Sequence, residues 1–222
     1  MGPRLLLHKL AYGVLEKSVG ELEELGTHET WTILPNLTES SFVVSGGAGY
    51  DISFELELIS RFGCTVALLD PSPPGIKTVS ELKEKPDALH FHAYGVAAET
   101  GTRTLNPPAN NPDMASWGIG SGTGGVSMEF LSLADVMAAE GRSTIDLLKI
   151  DIEGYEYEVI ESIVRQNIPI RQLCVEIHQG PRFLNKSLWD RWRLVFSLLR
   201  AGYVLLHHSG RNHTFLRRAP LP

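Results

Sequence analysis

The run Ile145–Ile160, IDLLKIDIEGYEYEVI, constrains this chain more than any other stretch, because an almost wholly apolar segment ends in two acids and a glycine. Leu147, Leu148 and Ile150 suit a central parallel strand covered on both faces, since such strands are continuously apolar rather than alternating. Carboxylates at its end, Asp151 and Glu153, are costly unless solvated or partnered. Gly154 lets the backbone turn tightly, and Tyr155, Val159 and Ile163 then recur at four-residue spacing on one helical face. Ligands of open α/β sheets bind beyond the carboxyl ends of the strands, so the two acids lie where chemistry is usually done.

A second βα junction lies upstream. Phe42-Val43-Val44 begins a strand that runs into Ser45-Gly46-Gly47-Ala48-Gly49-Tyr50-Asp51, after which Ile52, Leu56 and Ile59 trace a helix ended by Gly63. Val66–Leu69 is the next strand, ending in Asp70 before the turn Pro71-Ser72-Pro73-Pro74-Gly75. This β-α-β unit implies parallel pairing and a right-handed crossover. Gly47 and Gly49 let the backbone approach a ligand and present amides at a helix start, while Asp70 is placed to accept from both ribose hydroxyls of a nucleoside. A dinucleotide fingerprint wants a third glycine where Ile52 stands, so a nicotinamide cofactor is disfavoured. S-adenosyl-L-methionine (SAM) needs no pyrophosphate cradle, and its methionine part can lie over the glycine turn with its ribose on Asp70.

The remaining pattern completes an alternating α/β order. Leu89–Tyr94 is a third strand closed by Gly95, with His90 and His92 on the polar side of an edge strand rather than in a metal pair. Thr100–Ser127 is rich in Gly, Pro and Asn around Trp117 and is expected to be an irregular lid or binding loop. Phe130–Ala139 is expected to be helical, and Leu173–Ile177 is the next strand, running into His178. Ser187 with Asp190 starts a capped helix whose buried stripe is Leu188, Trp192, Val195 and Leu199. Tyr203–His207 and His213–Arg217 flank a hairpin turn, so the sheet ends antiparallel. Residues Arg4 to Leu25 carry helical spacing, which predicts an N-terminal helical cap over residues 1–30 before a single domain over 31–222.

Composition narrows the classes. A chain of 222 residues, 43% hydrophobic, can bury one substantial core, and a formal charge of −6 with acids and bases interspersed leaves no broad basic surface for nucleic acid. Cys64 and Cys174 sit in apolar contexts and are expected to be small buried hydrophobes. The Leu5–Leu7 run is too short to span a bilayer, so no membrane partner is expected. The expected location is the cytoplasm, or the Golgi lumen had an N-terminal anchor been removed.

Three motifs together carry a narrower resemblance: Ser45 through Glu55 (SGGAGYDISFE), Leu69-Asp70-Pro71-Ser72-Pro73, and Leu147 through Glu156 (LLKIDIEGYE). With Cys174-Val175-Glu176-Ile177-His178, the chain resembles the FkbM-type SAM-dependent methyltransferases. The resemblance implies a doubly wound, mostly parallel seven-stranded sheet of Rossmann-like type, strand order 3-2-1-4-5-7-6, with its last strand antiparallel. It also implies O-methylation of a hydroxyl on a sugar, glycan or natural-product small molecule. Ser45, Gly47, Gly49 and Asp51 would then hold the methionine part of SAM, Asp70 its ribose, and Tyr94, Gly95 and Val96 would lie near adenine, with Asp151 closing the site. Two other classes compete: a nicotinamide oxidoreductase, disfavoured by Ile52, and a non-catalytic SAM-binding module.

In that strand order the strand ending at Asp151 pairs with the one ending at His178. Adjacent strands lie about 4.8 Å apart and side chains two apart share a face, so Asp151, Glu153, Glu176 and His178 are expected to converge. One use is His178 as general base with Glu153 as its orienter and Asp151 beside them, and no metal. The alternative is a cation held by the four side chains.

Overall fold

The computed structural model describes residues 12–107, 117–118, 124–180, 183 and 185–218. In chain order these form β1 (Glu23–Leu25), β2 (Trp31–Ile33), β3 (Phe42–Gly46), α1 (Ser53–Phe62), β4 (Thr65–Leu69), α2 (Pro73–Ser80), β5 (Leu89–His92), β6 (Gly95–Ala97), β7 (Gly101–Leu105) and β8 (Val126–Ser132). There follow α3 (Leu133–Ala139), β9 (Ile145–Ile150), α4 (Glu156–Gln166), β10 (Ile170–Glu176), α5 (Leu188–Arg200), β11 (Tyr203–Ser209) and β12 (Asn212–Arg217).

The main sheet has the order β11-β12-β10-β9-β3-β4-β5. Counting only these seven strands along the chain, the order is 3-2-1-4-5-7-6, as the motifs imply. The β3, β4, β5, β9 and β10 pairings are parallel, and β12 runs antiparallel to both of its neighbours. Alternation along β9 sorts the core into two layers: Leu147 faces Leu25, Trp31, Phe54 and Leu58, while Leu148 and Ile150 face Leu133, Val159, Ile163 and Leu198. The sheet is therefore covered on both sides, by β1, β2, α1 and α2 on one and by α3, α4 and α5 on the other. Because β3 and β9 adjoin at the centre, their outgoing loops leave side by side, and the Asp151 amide donates to the Gly46 carbonyl at 3.0 Å.

Several local expectations change. Of the expected N-terminal helix, residues 1–11 lie outside the described residues, only residues 12–15 are helical, and Glu23–Leu25 is a strand paired antiparallel with β2. Gly26 explains the switch: at φ +98° it turns the chain, and a Cβ there would meet the Glu29 carbonyl oxygen at 2.5 Å, so the segment folds back as a hairpin. The expected lid is partly ordered pairing. β7 and β8 form an antiparallel ladder, and β6 joins β8 to complete a three-stranded second sheet; residues 108–116 and 119–123 of the lid lie outside the described residues. Phe130–Ser132 consequently belongs to a strand, and α3 starts only after Ser132, whose side chain accepts from the Asp135 amide. The turn at Pro71–Gly75 proves to be the start of α2, capped by Ser72. In α5 the capping box forms as expected, but the buried side is Arg191, Leu194, Val195 and Leu198, with Leu188 exposed. Arg191 goes inward because His208, His213 and the Gly210 carbonyl receive its guanidinium.

Candidate active site

The glycine turn after β3 is pinned from three sides. Gly47 sits at φ +92°, and a Cβ there would stand 2.1 Å from the Asp151 carbonyl oxygen, so the close crossing of the two loops requires glycine. The Gly47 amide donates to the Leu69 carbonyl, and the buried Lys149 ammonium donates to the Gly47 carbonyl at 2.5 Å. Lys149 also lies 3.8 Å from Glu55, whose carboxylate accepts from the Ser45 hydroxyl at 2.5 Å. Ser45 is thus fully buried beneath the turn and braces it.

Asp70, read as the ribose acceptor, lies against the cleft with its carboxylate engaged by backbone amides. It is only 6% exposed, one carboxylate oxygen accepts from the Ala48 and Gly49 amides at 2.8 and 3.0 Å, and the other accepts from the Ser72 amide at 2.8 Å. Gly75 makes room for it, since a Cβ there would come within 2.2 Å of that carboxylate. Asp51 is engaged likewise: its oxygens accept from the Ser53 amide and hydroxyl at the start of α1 and from the His28 and Glu29 amides. These bonds hold its carboxyl below the usual range although loss of hydration pulls the other way. Asp51 therefore anchors the segment after β1 over the site.

These loops border an open cleft lined by Glu29, Gly47, Gly49, Leu69, Asp70, Ser72, Gly95, Val96, Trp117, Phe130, Asp151, Ile152, Glu153 and Tyr155 among others. Gly47, Gly49, Asp70, Gly95, Val96, Asp151 and Glu153 are brought together there as expected, whereas Ser45, Asp51 and Tyr94 are not among its lining. Tyr94 is 41% exposed because Gly95 begins β6 and turns the chain under Phe130. Glu29 was invisible in sequence, lying in a polar loop with no motif. Loss of hydration raises its carboxyl above the usual range, with Lys149 opposing and Asp151 and Asp51 adding to the rise.

The second group of side chains lies beyond the Asp151 wall of the cleft. His178 is 3% exposed, and its Nδ1 lies 2.6 Å from Oε1 of the fully buried Glu156. A carboxylate only accepts, so Nδ1 carries the hydrogen and Nε2 turns the other way. Nε2 stands 3.5 Å from Glu153 Oε2, 3.7 Å from Glu176 Oε1 and 3.8 Å from Asp151 Oδ1. Glu156 also accepts from the Ile152 and Gly154 amides, the Tyr157 hydroxyl donates to the His178 carbonyl, and the Phe183 ring packs on the imidazole. Burial alone would lower the His178 pKa, but the Glu156 bond and the Asp151 and Glu153 charges push it up to about 9. Burial, with Asp151 adding, pushes Glu176 up to about 7. The four residues converge as β9–β10 adjacency requires, yet the orienter of His178 is Glu156 and not Glu153. His178 itself is not among the residues that line the cleft. Glu156 escaped notice because an acid in a first helical turn is ordinary at the positive end of a helix.

Among the described residues no helix is long and apolar enough to cross a membrane. The family model for the methyltransferase FkbM domain matches residues 37–205. Among solved structures, the chain is similar to monomeric WbdD, at 17% identity over 79% of this chain and 36% of that one, TM-score 0.48. It is also similar to the N-terminal domain of human METTL16 (12%, 79% and 60%, 0.43) and to the fibrillarin pre-rRNA processing protein of Methanococcus jannaschii (8%, 92% and 86%, 0.48). The chain spans about a third of WbdD and three fifths of the METTL16 domain. A search of curated proteins found no match to the sequence.

Proposed function

Because the chain belongs to the FkbM methyltransferase family, its match covering residues 37–205, we propose that it is a SAM-dependent methyltransferase acting on a hydroxyl of a sugar, glycan or natural-product small molecule. The observation that carries the cofactor assignment is the charge of the cleft. Its described lining holds four acids, Glu29, Asp70, Asp151 and Glu153, and no lysine, arginine or histidine. A pyrophosphate would meet like charge there, whereas the sulfonium and ammonium groups of SAM would meet opposite charge. The apolar walls Leu69, Val96, Phe130 and Ile152 suit a purine, and Gly47 and Gly49 line the cleft with their amides already held by the Leu69 carbonyl and the Asp70 carboxylate. When bound, SAM supplies a sulfonium methyl group that passes to the acceptor oxygen as the carbon–sulfur bond breaks and its electron pair stays on sulfur.

The chain's own residues would align the acceptor and take its proton. Asp151 and Glu153 face the cleft and form the wall through which a hydroxyl would approach, and a carboxylate of the cluster would accept the proton as the new carbon–oxygen bond forms. His178, held by Glu156, would steady the carboxylates from behind. Titration calorimetry with SAM and with NADH tests the cofactor: SAM should bind and NADH should not. Release of S-adenosylhomocysteine in a panel of hydroxylated sugars, glycans and polyketides tests the reaction, and turnover on amine acceptors alone would overturn the hydroxyl assignment.

A further inference from the structure

We infer that Asp151, Glu153 and His178 form a divalent-cation site of the Mg²⁺ or Mn²⁺ class, with Glu176 beside it and Glu156 as the positioning residue of its imidazole ligand. One ligand atom from each of the three lies within 4.8 Å of the others. An ion about 2.1 Å from each of three donors needs those donors about 3 to 4 Å apart, and the His178 Nε2 distances of 3.5 Å to Glu153 and 3.8 Å to Asp151 match that spacing. The same distances are long for direct hydrogen bonds.

Two observations beyond the spacing point to an ion. His178 is 3% exposed and its Nδ1–H is taken by Glu156 at 2.6 Å, which aims the other nitrogen at the carboxylates. A ligating imidazole is typically held in just this way, its second nitrogen donating to a carboxylate that fixes tautomer and ring orientation. Asp151 Oδ1, the atom facing Nε2, is buried with no hydrogen-bond partner. A buried carboxylate oxygen left in that state is costly, and a cation would satisfy it. Four carboxylates, those of Asp151, Glu153, Glu156 and Glu176, approach the imidazole at 2.6 to 3.8 Å. Carboxylates with one imidazole suit Mn²⁺ well, and three protein ligands leave positions open for water or an acceptor hydroxyl.

Binding of the ion stands on these side chains alone; its chemical use rests on the methyltransferase reading. Bound beside the cleft, it would polarise an acceptor hydroxyl and lower its pKa. The test uses the whole untagged chain stripped with EDTA and titrated with MnCl₂, followed by calorimetry and by loss of the free Mn²⁺ paramagnetic resonance signal. One Mn²⁺ per chain should bind. Glu153→Gln, a substitution at the rim, should weaken binding at least 10-fold, and Glu156→Gln, which removes no ligand, should weaken it about 10- to 100-fold. His90→Ala, remote from the site, should leave it unchanged. Absence of saturable Mn²⁺ binding, or binding indifferent to Glu153→Gln, overturns the site. A parallel SAM titration of the stripped protein separates the two readings: SAM bound without any Mn²⁺ site removes the cation alone, and Mn²⁺ bound without SAM removes the methyltransferase assignment and leaves the cation site standing.

Discussion

Glu153 adopts a left-handed backbone conformation, φ +52°, which a residue with a side chain occupies at a cost of about 1 to 2 kcal/mol. Gly154 follows at φ +111°, and a Cβ on Gly118 would stand 2.5 Å from the Glu153 carbonyl oxygen, so the loop is held from both sides. Strain of this kind at a cleft is characteristic of a residue kept for its side chain rather than for stability. Glu153→Gly should therefore be at least as stable as the parent and about 1 kcal/mol more stable than Glu153→Ala, while both lose methyl transfer. Urea unfolding of the two variants checks this, and a glycine variant less stable than the alanine one would show that the conformation carries no strain. Asp70 makes the opposite case. With three amides on its carboxylate, Asp70→Asn should lower stability by about 2 kcal/mol as well as weakening SAM at least 10-fold, because an amide nitrogen cannot accept from the turn. A variant that loses SAM affinity at full stability would instead return Asp70 to the role of a free ribose acceptor.

At the scale of elements, β9 connects core and chemistry. One face of the strand sends Lys149 down onto Glu55 of α1 and up to the Gly47 carbonyl, so a buried ion pair fixes the turn that the cofactor would lie on. Lys149→Met leaves the buried Glu55 charge without its partner and should cost about 3 to 5 kcal/mol, whereas Lys149→Met with Glu55→Gln should recover more than half of that. Denaturant midpoints of the three variants decide it; additive losses would mean that the two side chains are energetically independent. The strands of the main sheet were legible because apolar runs such as Val43–Val44 and Leu147–Leu148 suit strands covered on both faces, and their order was implied by the family resemblance. The second sheet was not. β7 and β8 are separated by a long excursion and show mostly exposed or half-buried residues such as Thr102 and Glu129, whose pairing is decided by the ladder itself and by Phe130 packing on Tyr155. At the site, proximity of the four cluster residues followed from strand adjacency, but the partner of each did not: which acid takes the imidazole depends on a helical turn that buries Glu156 completely.

On the scale of the whole molecule, the cleft is assembled from separate layers: the carboxyl edge of the main sheet, the second sheet carrying Phe130, and the hairpin segment carrying Glu29. The last is tied down chiefly through α1. Gly26 donates to Glu57, Thr27 to the Ser53 hydroxyl, and His28 and Glu29 to Asp51. Asp51 is thus a clasp between layers. Its sequence position suggested direct contact with the methionine part of SAM, and the two roles make different predictions. If it acts as a clasp, Asp51→Ala removes the acceptor of two loop amides and of the Ser53 amide, each such charge-assisted bond contributing about 1.5 to 3 kcal/mol locally. Hydrogen exchange at residues 28 and 29 should then accelerate while β3, β4 and β9 stay protected, since local opening is governed by local bonds. SAM affinity should fall about 10-fold because the free segment must be reordered on binding, and Asp51→Asn, which keeps one acceptor oxygen, should fall between the two. If instead affinity drops with exchange at residues 28 and 29 unchanged, Asp51 touches the cofactor directly and the loop is held by Gly26 and Thr27 alone.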